Sequence, residues 1–107
     1  MAIKKSEQTD CPVDFAFKRI GGKYKGRIIW YIAENGNILR YGQLRKFITG
    51  ITPKMLTQTL RELEDDKLLT RKVYHEVPPK VEYSLTDTGK GLIPLIAQLK
   101  QWGEDQM

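Results

Sequence analysis

A mainly α-helical domain carrying one small β-hairpin, an α+β arrangement, is what this sequence predicts. Three observations carry the prediction. Apolar residues recur at helical spacing through most of the chain up to Leu63. The period then switches to two, over Leu69, Arg71, Val73 and again over Val81, Tyr83, Leu85. A helical stripe returns after Thr86.

Residues 1–10 are polar and charged and read as a flexible arm, leaving residues 11–107 as a single domain. The first helix starts at Cys11-Pro12 and runs to about Ile20, with Val13, Ala16, Phe17 and Ile20 on one face and Phe15 off it. Gly21-Gly22 breaks it. A second helix spans about Lys23 to Glu34, with Ile28, Ile29 and Ile32 as its core stripe, and Asn35-Gly36-Asn37 ends it. Tyr41, Leu44 and Ile48 mark a short third helix that Thr49-Gly50 stops.

The fourth helix has the most informative start. Thr52 is placed to cap it and Pro53 to fill N1, where a missing N–H costs nothing. Leu56, Leu60 and Leu63 share one face; Lys54, Gln58 and Arg61 lie opposite, with Thr57 at the edge. This helix ends near Asp65-Asp66-Lys67. Between the two β-prone runs, His75 to Lys80 forms a turn stiffened by Pro78-Pro79. Thr86-Asp87 caps a last helix whose stripe is Leu92, Leu95, Ile96, Leu99 and Trp102, with Pro94 expected to kink or delay it. Four helices, a hairpin and a closing helix, with a short turn before the fourth, make a winged helix-turn-helix.

The formal net charge of +5 is unevenly distributed. Residues 1–50 carry ten Lys/Arg against four Asp/Glu, and residues 51–107 eight against nine. Such a balance favours nucleic acid or another acidic partner. The single cysteine excludes an intrachain disulfide and a cysteine-based zinc site, and no cofactor or metal motif is present. The longest apolar run, Ile28 to Ala33, is far short of a membrane span, and Met1 to Thr9 lack the pattern of a secretory leader, so a cytoplasmic protein is expected. One histidine on a turn gives no catalytic triad. Gly21-Gly22-Lys23 lacks the earlier glycine and following hydroxyl of a phosphate loop. No enzyme is expected.

Candidate DNA contacts follow from the element order. Lys54, Thr57, Gln58 and Arg61 face outward on the fourth helix, where they can meet base edges or phosphates. Lys54, near the helix start, suits phosphate; Arg61 suits a base edge, a phosphate, or a pairing with Glu62 or Asp65. Lys23 and Lys25, beside Arg27, form a basic cluster that grips the DNA backbone or is a solvated face. Arg71, Lys72, His75 and Lys80 are the wing candidates. Tyr83 alternates with Glu82, placing Tyr83 in the core and Glu82 in a structural ion pair.

Several stretches together resemble the HxlR family of bacterial transcriptional regulators. They are Cys11-Pro12, Ile20-Gly21-Gly22-Lys23, Arg40-Tyr41-Gly42-Gln43-Leu44, Ile51 to Leu56, Leu60 to Glu64, Pro78 to Thr86, and Trp102-Gly103. The resemblance runs in unbroken order over about residues 11–103. Tyr24 departs from it, standing where the family usually has tryptophan. The resemblance implies a homodimer, built mainly by the first and last helices, that binds double-stranded operator DNA. Phe15, Ile93, Leu99 and Trp102 are the apolar residues expected at the dimer interface. Two-fold symmetry implies an inverted-repeat operator, and a chain this short implies a repressor.

In some members of that family a cysteine in the Cys-Pro position senses electrophiles or disulfide stress. Here Cys11 would feel the positive end of the first helix, opposed by Asp10 and Asp14. Redox sensing is one reading of Cys11, and a small semi-buried structural cysteine is the other. Two further alternatives stand beside a DNA-binding repressor. One is a winged helix used as a protein-interaction module. The other is a MarR-like regulator with a ligand pocket at the dimer interface, lined by residues such as Phe15, Tyr31 or Trp102.

Overall fold

The structure, a computed structural model, describes residues 10–107, so most of the expected N-terminal arm lies outside the described residues. The helices α1 (Pro12–Ile20) and α2 (Lys25–Glu34) are followed by strand β1 (Ile38–Arg40) and helices α3 (Tyr41–Phe47) and α4 (Pro53–Asp65). Strands β2 (Leu69–Tyr74) and β3 (Lys80–Leu85) form the hairpin, and α5 (Asp87–Lys90) and α6 (Ile93–Gln106) close the chain.

The four-helix, hairpin, helix plan stands, with two corrections. The sheet has three strands in the order β1-β3-β2, all antiparallel, where a two-stranded hairpin was expected. β1 has one buried residue, Leu39, between exposed Ile38 and Arg40, too short a run for alternation to register. The last helix is split: Asp87–Lys90 is a separate turn, and α6 begins at Ile93. Pro94 falls in the first turn of α6, where no backbone donor is needed, so it delays the helix rather than kinking it.

The core is where the apolar stripes converge. Ile28, Ile29 and Ile32 of α2, Leu44 of α3, Leu56, Leu60 and Leu63 of α4, and Leu69 of β2 are all fully buried. Each contributes about 1.5–3 kcal/mol relative to exposure. Tyr83 and Leu85 bring the inner sheet face to the same cluster. Between α3 and α4, Gly50 takes φ +84, a left-handed value that suits glycine and lets the turn stay short. At the hairpin root, Thr86 Oγ1 donates to Lys67 O at 2.7 Å and accepts from Gly89 N at 3.0 Å. Gly89 packs so tightly there that a Cβ would stand 2.3 Å from Leu68 O.

The outer helices are less covered. Val13 and Phe17 of α1 are 60% and 59% exposed, and Trp102 of α6 is 67% exposed. Of the α6 stripe, only Ile96 is buried. Pro12, Val13, Ala16, Phe17, Leu95 and Leu99 line an apolar groove of 320 Å³ between the two helices.

Candidate nucleic-acid interface

α4 is held with its polar side outward. Thr52 Oγ1 accepts from Met55 N at 3.1 Å, the cap its position predicts. Leu56, Leu60 and Leu63 press the opposite face into the core. Lys54, Gln58 and Arg61 are exposed, while Thr57 is half-buried with its hydroxyl 3.2 Å from Tyr41 OH. Gln58 Nε2 donates weakly to Glu62 Oε1 at 3.4 Å. Neither Lys54 nor Arg61 has a carboxylate in ion-pair range among the described residues, so the pairing of Arg61 with Glu62 or Asp65 is not formed.

The second helix starts at Lys25 rather than Lys23, which lies in the turn before it, and the two lysines part company. Lys25 Nζ lies 3.2 Å from Glu62 Oε2 and donates to Lys18 O at 3.2 Å. It is committed to protein contacts. Lys23 is exposed, with its ammonium 5.5 Å from the Tyr24 ring centroid.

The wing candidates also divide. Arg71 lies at the root, opposite Tyr83 in the β2–β3 register, with Nε 3.9 Å from Glu64 Oε1 of α4. Burial holds the Tyr83 phenol above its ordinary value of 10.0, with the Arg71 charge pulling the other way. Lys72 and Lys80 flank the Tyr74 ring, at 4.8 and 4.2 Å from its centroid. Tyr74 OH donates to Glu82 Oε1 at 2.9 Å, and Lys80 Nζ is 3.7 Å from Glu82 Oε2. The expected structural ion pair of Glu82 is therefore formed. His75 is exposed beside the Glu76 to Pro79 tip.

Arg40 and Lys46, which sequence patterning passed over, face the wing across a cavity shared with Lys80. The signal was present as cations in the short third helix and its cap, in a segment too brief to show a polar face.

Cys11 is the N-cap residue of α1, exposed, with no side-chain capping bond. A semi-buried packing role is not what the subunit gives it. Among the expected interface residues, Leu99 and Trp102 are exposed, Phe15 carries the Arg19 guanidinium 3.6 Å over its ring, and Ile93 packs against the edge of the core. Among the described residues no group of His, Cys, Asp and Glu side chains is placed to hold a metal ion.

Comparison with known proteins agrees with this geometry. Residues 19–107 match the HxlR-like helix-turn-helix family. The HTH-type transcriptional regulator YybR of Bacillus subtilis (strain 168) is 48% identical over 94 residues, covering 88% of this chain and 74% of YybR. The redox regulator HypR in its oxidised form is 47% identical with a TM-score of 0.82, over 89% of this chain and 96% of that one. A MarR-family regulator from Porphyromonas gingivalis W83 is 37% identical with a TM-score of 0.85, over 100% of both chains. The chain thus carries a winged helix-turn-helix with an outward-facing polar α4, and it belongs to the HxlR-like helix-turn-helix family of transcriptional regulators.

Proposed function

We propose that this protein is a sequence-specific transcriptional repressor that binds an inverted-repeat operator as a homodimer in the cytoplasm. The observation that carries this reading is α4. Its leucines are fully buried and its Thr52 cap is formed, while Lys54, Gln58 and Arg61 stand exposed on the opposite side. In a major groove that face offers hydrogen bonds to base edges from Gln58 and Arg61 and a phosphate contact from Lys54. Lys23, Lys72, His75 and Lys80 add backbone or minor-groove contacts, while Lys25 and Arg71 support the fold that presents them.

The second subunit docks on the α1/α6 surface, where Val13, Phe17, Leu99 and Trp102 are exposed. Two-fold pairing through these helices sets two α4 helices for two half-sites. The resemblance to HypR, a redox regulator, and the exposure of Cys11 support oxidation of that thiol as the signal. With one cysteine per chain, a two-electron oxidant such as diamide would join two Cys11 thiols across the dimer or one Cys11 to a small thiol. The diamide takes up both thiol protons and is itself reduced to the hydrazine. Catalysis has no part in this reading.

One observation favours a ligand-responsive variant of the same scheme. A cavity of 680 Å³ between α2 and α6 is lined by Trp30, Tyr31, Arg27, Glu34 and Lys100 among others. The test is titration of the protein with DNA from upstream of its own and neighbouring genes, with competitor duplex, before and after diamide. Binding that resists competitor and is lost on treatment, but kept in Cys11→Ser, is the expected result. Weak, fully competed binding contradicts the repressor. Release by a small aromatic molecule that persists in Cys11→Ser favours the ligand variant.

A further inference from the structure

A cavity of 570 Å³ opens between the first turn of α3 and the wing. It exists because β1 stops at Arg40, opposite Glu82, so no strand of the described residues covers Lys80 and Val81 on that edge of β3. Arg40, Lys46 and Lys80 line it, and among the described residues Glu76 is the one carboxylate residue of its lining. Neither Arg40 nor Lys46 has a carboxylate in ion-pair range among the described residues. Lys80 is fixed against the Tyr74 ring and Glu82. Tyr41 of α3 lines it and links it to α4. The Tyr41 hydroxyl donates to Pro53 O at 3.3 Å and lies 3.2 Å from Thr57 Oγ1.

DNA geometry says what should pass there. A major groove about 12 Å wide admits α4, and the neighbouring groove is the minor one that a wing reaches. The phosphodiester strand separating the two grooves must then run between the helix and the wing. We propose that the cleft between α3 and the wing is the seat of that strand, with Arg40 and Lys46 neutralising its phosphates and Lys80, held by Glu82, lining its far wall. The proposal rests on the DNA-binding reading above and adds the residues that grip the backbone. Contacts of this kind set register and affinity without reading sequence.

The test uses two DNA duplexes of unrelated mixed sequence, each titrated across a salt series with the full chain and three variants, Arg40→Gln, Lys46→Gln and Glu76→Gln. Arg40→Gln keeps the backbone N–H that donates to Gln43 Oε1 at 2.9 Å, so the start of α3 is preserved. Each lysine or arginine variant should lower the slope of log K against log salt by about 0.9 per subunit and weaken all duplexes by the same factor. Glu76→Gln, on the exposed wing, should tighten binding, and this arm reads the cleft even if a variant in α3 is unstable. Wild-type binding with unchanged slopes in the folded variants, or no gain from Glu76→Gln, overturns the cleft and leaves the DNA-binding reading intact. Failure of the wild type to bind duplex at low salt overturns both. A loss confined to one DNA sequence would make these side chains base readers and overturn the backbone seat.

Discussion

Lys25 Nζ lies 3.2 Å from Glu62 Oε2 and joins the start of α2 to the last turn of α4. Its bond to Lys18 O brings α1 to the same ammonium. Glu62 in turn accepts from Gln58 Nε2 through its other oxygen. The carboxylate that ties α4 to α2 thus also touches one of the residues α4 presents.

Replacing Lys25 with methionine should therefore act on the protein more than on the DNA. The pair is partly exposed, with side-chain exposures of 18% and 44%, so its loss should cost no more than about 1 kcal/mol. The salt slope of DNA binding should stay at the wild-type value. A slope reduced by about 0.9 would show that Lys25 reaches a phosphate instead.

The seating of α4 can be tested at its cap and at its buried face. Thr52→Ala removes the acceptor of Met55 N and should destabilise the fold by about 1 kcal/mol. Leu60→Ala empties a fully buried site and should cost about 2–5 kcal/mol. Urea unfolding measures both. Equal, small effects would mean that α4 is not held by its leucine face.

Dimer formation has its own readout. Trp102→Glu and Phe17→Glu place charge on exposed apolar surface of α6 and α1 while leaving the core intact. Sedimentation should show a dimer for the wild type and a monomer for each variant, with unchanged far-ultraviolet circular dichroism. Dimers persisting in both variants would place the interface elsewhere.

The buried phenol of Tyr83 gives a pH dependence whose sign is fixed. Its folded-state value is raised above 10.0, mainly by burial. Below that pH both the folded and unfolded chains keep the proton, and the group adds no slope. Above it the unfolded chain ionises first, so stability falls as pH rises toward the folded-state value. Urea midpoints followed upward from about pH 9 should fall more steeply in the wild type than in Tyr83→Phe. Parallel curves would contradict the burial of the phenol.

Much of this fold is legible in the sequence because strong local signals agree with the packing. Thr52-Pro53 announces α4, the leucine spacing fixes which side is buried, and the switch to a period of two locates β2 and β3. β1 was hidden because three residues hold no periodicity, and its pairing depends on β3, more than forty positions later. The break before α6 was half visible: Pro94 signalled it, but the Thr86–Gly89 cap with its tight contact to Leu68 makes Asp87–Lys90 a turn of its own by fixing where it begins. The division of the lysines was not legible. Nothing local distinguishes Lys25, which meets Glu62 across the fold, from Lys23, which stays exposed. Exposure of Cys11 likewise depends on how little of α1 the rest of the subunit covers.

Selection from a random duplex library measures whether α4 reads base sequence. The wild type should enrich an inverted repeat and prefer it over a shuffled duplex by a factor of about 10³ or more at fixed salt. Arg61→Ala should lose about 1–3 kcal/mol on the selected repeat and relax preference at one position in each half-site. Lys54→Ala should weaken both duplexes alike. No enriched sequence, or an enriched repeat to which Arg61, Gln58 and Lys54 are all indifferent, would show that α4 does not read DNA.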